Sequence, residues 1–248
     1  MTPQAVRAFE LVAHRGNSAE FPENTLPAVA SALQLGLPFV EIDVHLTRDL
    51  EPVVIHDHTL MRTAGREGLV FDMDCAALTR VEVAERQRFK DRHAGTCIPR
   101  LRDFAALLAN YPGAHGFVEI KRASLEHFGH DEVVRRVLAA LAPCLSRCIV
   151  ISFDLQAVQL ARASGAAAIG WVLPQWSDAT RAECIALAPE FVFVDQQKIP
   201  VGEAVWPIGR WCAYEVTSAQ LASSLCSRGV QLMETMRARE ALGWTLQR

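Results

Sequence analysis

At 248 residues, half of them hydrophobic, the chain is long enough to bury a large core as one domain, a size that α/β barrels reach undivided. A formal net charge of -3, with no Lys/Arg-rich run and no RNA-type aromatic motif, gives no basic footprint, so a nucleic-acid partner is not expected. No apolar run reaches the roughly 18 residues of a membrane span, so no stable membrane association is expected. The opening "MTPQAVRAFELVAHRG" lacks an uninterrupted apolar stretch and does not read as a signal peptide. The seven cysteines are scattered, and only Cys144 and Cys148 are close, without a second pair to complete a zinc site. They are expected as buried thiols in a reducing cytoplasm.

Short β-like runs recur along the chain: "ELVAH" (10–14), "FVEIDVHL" (39–46), "PVVIHD" (52–57), "GFVEIK" (116–121), "CIVISF" (148–153), "AAIGWVL" (167–173), "FVFVD" (191–195) and "WCAYEV" (211–216). Helical patterns lie between most of them, among them "TLPAVASALQL", "LRDFAALLANY", "DEVVRRVLAALAPC" and "LQAVQLARAS". This alternation predicts parallel strands with crossover helices, a TIM-type (β/α)8 barrel over 1–248. Asn24 or Thr25 can cap the first helix, with Pro27 in its first turn and Gly36 past its end.

Two segments break the rhythm. Between Leu46 and Pro52 there is no room for a crossover helix, so the second and third strands are expected to pair as an antiparallel hairpin. If Thr47 opposes Pro52, then Asp43 faces His56, Glu41 faces His58, and all four side chains share one face. The second break, 59–98, is charged, weakly periodic and too long for an ordinary barrel loop; it reads as an insertion covering the polar end of the hairpin.

Acid, base and cation groups concentrate at the ends of apolar strands: His14 and Arg15 in "AHRGN", Glu41 and Asp43 in "EID", His56 in "IHD", Glu119 and Lys121 in "EIK". Barrel enzymes place their reacting groups at the C-terminal ends of strands. Residues two apart on a strand share a face, so Glu41 with Asp43, and Glu119 with Lys121, each converge. Three carboxylates without cysteine suit one hard divalent cation, Mg²⁺ or Ca²⁺. Two histidines beside it could act as general acid and base, and Arg15 and Lys121 could neutralise phosphoryl oxygens. Plainer roles exist for each: a structural histidine at 14, a solvated edge at Glu41 and Asp43, a surface ion pair at Glu119 and Lys121. His45 is expected to be structural, and His58 exposed or in a supporting place behind the site.

"AHRGNSAEFPENTLPA", "VEIDVHLTRDLEPVVIHDHTLMRT", "IPRL" and "VEIK", in this order and spacing, resemble the glycerophosphodiester phosphodiesterase family, a group of PLC-like barrel phosphodiesterases. The resemblance is dense from residue 11 to about 122. It implies that Glu41, Asp43 and Glu119 ligate the metal, that His14 and His56 are the acid/base pair, and that Arg15 and Lys121 bind phosphate. It further implies that 59–98 is a cap shaping the substrate pocket, and that a glycerophosphodiester is hydrolysed to sn-glycerol 3-phosphate and an alcohol. The family commonly ends in a segment like "GVDGIITDRP", whereas this chain has "GVQLMETMRA" (229–238), altered at Gln231, Leu232, Met236 and Ala238, and carries Tyr214 where Trp is common. These changes are expected to lie away from the metal ligands. Two other functions share the residue logic: a lipid phosphodiesterase of the lysophospholipase D or sphingomyelinase D kind, and a non-catalytic barrel that binds a phosphoryl ligand.

Overall fold

Eight parallel strands close into a ring in the computed structural model, which describes residues 9–244. The first half of the segment judged for a signal peptide, residues 1–8, lies outside the described residues. The chain opens with β1 (Glu10–Ala13), α1 (Leu26–Gln34), β2 (Phe39–Leu46) and β3 (Pro52–Val54). Three short helices follow, α2 (Met61–Ala64), α3 (Cys75–Leu78) and α4 (Arg86–Phe89), and then α5 (Leu101–Ala109) and β4 (His115–Ile120). Two helices, α6 (Arg122–Phe128) and α7 (His130–Leu141), lead to β5 (Cys148–Ser152), α8 (Leu155–Ala163) and β6 (Ala168–Val172). The remainder is α9 (Asp178–Leu187), β7 (Phe191–Asp195), β8 (Arg210–Tyr214), α10 (Ala219–Ser227), β9 (Leu232–Thr235) and α11 (Ala238–Ala241). The ring runs β1, β2, β4, β5, β6, β7, β8, β9 and back to β1, which makes it a TIM-type (β/α)8 barrel.

Seven of the eight expected strands belong to this structure's ring, and one does not. "PVVIHD" supplies only β3, which pairs antiparallel with β2 outside the ring. So short a connection cannot return the chain in the parallel sense. The eighth ring strand is β9, "LMET", whose four residues carry little of the β-branched signal of its neighbours.

The hairpin register also differs from the expected one. Val44 opposes Val54 and Leu46 opposes Pro52, so Thr47 pairs with Glu51 and Asp43 stands across from Ile55 rather than His56. The turn sets this. Thr47 N–H donates to Glu51 O (3.0 Å), Glu51 N–H donates to Thr47 Oγ1 (3.1 Å), and Leu50 takes a left-handed φ of 62° to close a three-residue loop. A one-residue slip reverses the faces of a regular strand. The last rung is Ile55 N–H to Asp43 O (3.0 Å); beyond it the chain leaves the ladder, and His56 reaches the barrel mouth from a bend.

Strand alternation sorts the core into layers. Outward residues such as Val40, Ile42, Val44, Val118, Ile120, Val150 and Trp211 pack under the helices. Inward residues Val12, Phe39, Phe117, Ile149, Phe191, Cys212 and Leu232 fill the barrel floor. Gly170 belongs to this packing: a Cβ there would stand 2.8 Å from Ile151 Cγ2 and 3.2 Å from Phe191 Cβ. α1 starts as expected, with Thr25 Oγ1 accepting from Ala28 N–H, Pro27 in the first turn and Gly36 past its end at φ 79°.

The 59–98 insertion has its own small core, in which Leu60, Val70, Phe71, Leu78, Val81, Val83 and Ile98 pack with Val53 and Ile55 of the hairpin. It leans on the loop between β1 and α1. Glu85 Oε1 accepts from Glu23 N–H (2.7 Å), Arg88 donates to Ser18 O (2.6 Å), and His93 bonds Glu20 O (2.9 Å).

Candidate active site

Local backbone geometry aims the first group of side chains. After β1 the chain takes two consecutive left-handed residues, Arg15 (φ 56°) and Gly16 (φ 77°). Gly16 presses on α1 so closely that a Cβ would meet Ala28 C at 2.6 Å, which excludes any side chain there. The turn points the Arg15 N–H at Glu41 Oε2 (3.0 Å) and its guanidinium at Glu23 Oε1 (2.9 Å) and Asp43 Oδ2 (3.2 Å).

Next comes "ENT". Glu23 holds Arg15, Thr25 caps α1, and Asn24, at a left-handed φ of 57°, clasps Asp43 twice. Its Nδ2 donates to Asp43 Oδ2 (2.8 Å) and its Oδ1 accepts from Asp43 N–H (3.0 Å). Both Glu23 and Asn24 act directly on the site, a role that sequence pattern did not assign them. The available signal was a polar run immediately before a helix and a strand end carrying charge.

Glu41, Asp43 and Glu119 offer three carboxylate oxygens lying within 4.8 Å of one another. The strands enforce this: Asp43 is the register partner of Glu119, and Glu41 lies two residues back on the same face. Lys121, two residues after Glu119, reaches Glu119 Oε1 (2.7 Å) and Asp43 Oδ1 (3.1 Å). Burial alone would raise Asp43, but Lys121 and Arg15 outweigh it and hold its carboxyl far below the usual range. Glu41 moves the other way: burial, then the charges of Asp43 and Glu234, push it well above an ordinary glutamate. Its Oε1 is buried with no hydrogen-bond partner. A desolvated carboxylate among like charges needs a proton or a cation. The three-oxygen cradle, free of sulfur and nitrogen, therefore fits a hard divalent ion.

Two histidines flank the cradle in different surroundings. His14 is buried; burial first, and Arg15 second, lower it to about 3, so it is neutral at neutral pH, and its Nδ1 has no partner. His56 is about a third exposed and lowered chiefly by burial. Its Nδ1 lies 2.6 Å from Asp57 Oδ1, a carboxylate oxygen that can only accept, so Nδ1 carries the proton and Nε2 is left as the acceptor. His45 is structural, as expected: Nε2 bonds His56 O (3.0 Å), Nδ1 meets Ser124 Oγ (2.8 Å), and burial lowers it to about 4. His58 is exposed.

A cavity of about 300 Å³ opens onto these groups, lined by His14, Arg15, Glu41, His56, Glu119 and Lys121 on one side. Ile151, Phe153, Val172, Phe193 and Tyr214 line the other side. All seven expected site residues thus converge: six line the cavity, and Asp43 sits among them in ion pairs with Arg15 and Lys121. Glu234 completes the ring of acids. It is 3% exposed, points into the cavity from β9, and has an unpartnered Oε1. Burial, then Glu119 and Asp43, push its carboxyl well above the ordinary range. The 229–238 segment therefore does reach the site. Leu232 belongs to the floor, and Met236 faces a larger cavity of about 710 Å³ beside the insertion, but Glu234 stands among the acids.

Residues 14–187, well over half of the chain, match the Glycerophosphoryl diester phosphodiesterase family. The chain belongs to that family. Among its relatives, the glycerophosphodiester phosphodiesterase of Caldanaerobacter subterraneus subsp. tengcongensis is 38% identical over 100 residues, 40% of each chain. The human glycerophosphodiester phosphodiesterase 1 is 35% identical over 100 residues, 40% of this chain and 30% of its own length. The matched stretch thus spans less than half the length of either relative. A solved phosphodiesterase from Oleispira antarctica superposes with a TM-score of 0.80 at 24% identity, covering 93% of this chain and 94% of that one. The Thermotoga maritima glycerophosphodiester phosphodiesterase gives 0.67 at 20%, covering 94% and 96%. At these identities the two structures establish the shared barrel fold.

Proposed function

We propose that this protein hydrolyses glycerophosphodiesters to sn-glycerol 3-phosphate and an alcohol, using a divalent cation held by Glu41, Asp43 and Glu119. The observation that carries this proposal is the convergence of that three-carboxylate cradle, within 4.8 Å, with Arg15, Lys121 and two neutral histidines at one cavity. Family membership supports the reaction class. The Oleispira antarctica structure, which superposes over nearly the whole chain, is a complex with the product sn-glycerol-3-phosphate, and this supports the same product here.

In this proposal the cation, Mg²⁺ or Ca²⁺, would supply charge stabilisation on the nonbridging phosphoryl oxygens. The remaining work falls to side chains. Arg15 and Lys121 are fixed by their carboxylate partners facing the cavity and would bind the phosphoryl group, Arg15 through its planar fork and Lys121 as a point charge. His56, with Nε2 free, is suited to take a proton from the water that attacks phosphorus. His14, just after β1, would give the departing alcohol oxygen a proton drawn from solvent, and His56 would return its proton to solvent, so that water is consumed and no net proton is held. The insertion would act as a cap, and the aromatic and aliphatic wall from Ile151 to Tyr214 would exclude water from the alcohol side.

The deciding experiment is a panel of diesters, including glycerophosphocholine and glycerophosphoethanolamine, assayed for glycerol 3-phosphate with Mg²⁺, Ca²⁺ or EDTA, with lysolipids alongside. Release that depends on the cation is expected. A panel with no product under any cation would end the proposal, and preference for lysolipids would redirect it to lipid phosphodiesters. Among the described residues no helix is long and apolar enough to cross a membrane.

A further inference from the structure

The insertion reaches the immediate partners of two site residues through Arg62. Arg62, on α2, directs its guanidinium at two carboxylates at once. Nη1 and Nη2 form a two-pronged contact with Glu23 (2.8 and 2.7 Å), and Nε donates to Asp57 Oδ2 (2.7 Å). Each carboxylate then hands the constraint on. Asp57 uses its other oxygen on His56 Nδ1 (2.6 Å), and Glu23 uses Oε1 on Arg15 (2.9 Å).

We propose that Arg62 is a positioning residue that sets His56 through Asp57 and Arg15 through Glu23, so that the insertion holds the acid/base and phosphate-binding groups without touching substrate. This rests on the function proposed above. With both oxygens of Asp57 engaged, its carboxylate cannot rotate away from the imidazole, and the Nδ1–H form of His56 is enforced. Glu23, only 4% exposed, would otherwise be anchored by Arg15 alone, and Arg15 would keep Asp43 but lose the fixed position of its second carboxylate. A lysine could not substitute, because one ammonium lacks the fork needed to span two carboxylates in a fixed plane. The sequence places the device in the "HDHTLMRT" run, which supplies His56, Asp57 and Arg62 within seven residues.

Two arms leave Arg62, and kinetics separates them. Asp57→Asn is expected to lower kcat roughly 10- to 100-fold with KM within about threefold, as outer partners of oriented histidines do. Glu23→Gln is expected to act chiefly on KM, through Arg15, and Arg62→Gln to show both effects. If Arg62 acts through Asp57, the Arg62→Gln/Asp57→Asn pair lowers kcat no more than about threefold beyond the worse single change, because the two lie in one chain of contacts. Arg86→Gln, an insertion variant whose partners are Glu82 and Asp91 and which forms no ion pair with Arg62, Glu23 or Asp57, serves as the control and should leave kcat unchanged.

A second readout needs no turnover. The ring-nitrogen NMR signals of His56 in the wild-type protein should report the Nδ1–H tautomer at neutral pH, and in Asp57→Asn a mixture. Finding the Nε2–H tautomer in wild type, independent (multiplying) kcat losses in the double variant, or wild-type kcat in a folded Arg62→Gln protein would each overturn the proposal. Failure of the wild-type protein to cleave any diester would sink the function, while the tautomer would still decide the positioning. If Arg62→Gln does not fold, the wild-type spectrum and Arg62→Lys, expected to lose kcat as Gln does, decide it.

Discussion

The arc formed by β9, β1, β2 and β4 and the arc formed by β5, β6, β7 and β8 share one apolar floor and differ above it. The first arc carries Glu234, His14, Glu41, Asp43, Glu119 and Lys121; the second presents Ile151, Phe153, Val172, Phe193 and Tyr214 to the same cavity. On the second arc each fully buried side chain removes apolar surface from water and contributes about 1.5–3 kcal/mol. On the first arc burial works against the groups present: it opposes the charges of Glu41, Glu119 and Glu234 and lowers His14. One half of the barrel mouth stabilises the fold, and the other is assembled at the expense of stability. That contrast is what separates a site from a core in a structure whose strands otherwise look alike.

The largest expected effect lies on the charged arc. Replacing His14 or His56 with Ala should cut turnover roughly 10²- to 10⁴-fold, the range of general acid/base contributions, with little change in denaturant midpoint. Steady-state rates beside a urea titration would check this, and near-normal turnover in His56→Ala would remove it from the mechanism. The opposite pattern is expected across the cavity. Phe193→Ala, deleting a side chain 1% exposed, should destabilise by about 3–5 kcal/mol, measured by chemical denaturation. If Phe193→Ala proved as stable as wild type, the division between the arcs would fail.

Smaller effects sharpen the same contrast. Glu41→Gln keeps the shape and removes a desolvated charge, so in EDTA its melting temperature should equal or exceed that of wild type while turnover falls. The third readout is pH. Glu41, Glu119 and Glu234 are raised in the folded state above 4.5, so the folded protein binds protons more tightly than the unfolded chain. Their contribution is complete below 4.5 and is lost as pH rises through the raised folded values. Asp43 is depressed below 3.8, so its contribution is present above 3.8 and lost as pH falls. Below 6.5 the lowered histidines His14 and His45 act in the opposite sense, gaining stability as pH rises, so the test lies between 6.5 and 8: there metal-free protein should lose melting temperature as pH rises, and added Mg²⁺ or Ca²⁺ should flatten the slope. A melting temperature that rose across that window in EDTA would contradict the assignment of buried, raised carboxylates.

Much of this was legible in the sequence because strand period and charge act together. "EID" and "EIK" state both the burial and the convergence of their acids, since residues two apart must share a face. "AHRGN" and "IHD" were readable as strand ends. What escaped depended on tertiary geometry. The hairpin register turned on whether Leu50 would adopt a left-handed φ, which no Asn-Gly pair announced. Asn24 was visible as a possible cap, but its clasp on Asp43 spans 19 residues, and Arg62 meets Glu23 across 39. Glu234 sits on a four-residue strand too short for its alternation to be recognised, so nothing marked it as inward-facing.

The cradle itself is tested most directly by calorimetric titration of metal-free wild-type and Glu41→Gln protein with Mg²⁺ and with Ca²⁺. One cation per wild-type chain is expected, with affinity sharply reduced in Glu41→Gln. Absence of binding in the wild type, or binding that Glu41→Gln leaves untouched, would contradict the assignment of Glu41, Asp43 and Glu119 as its ligands.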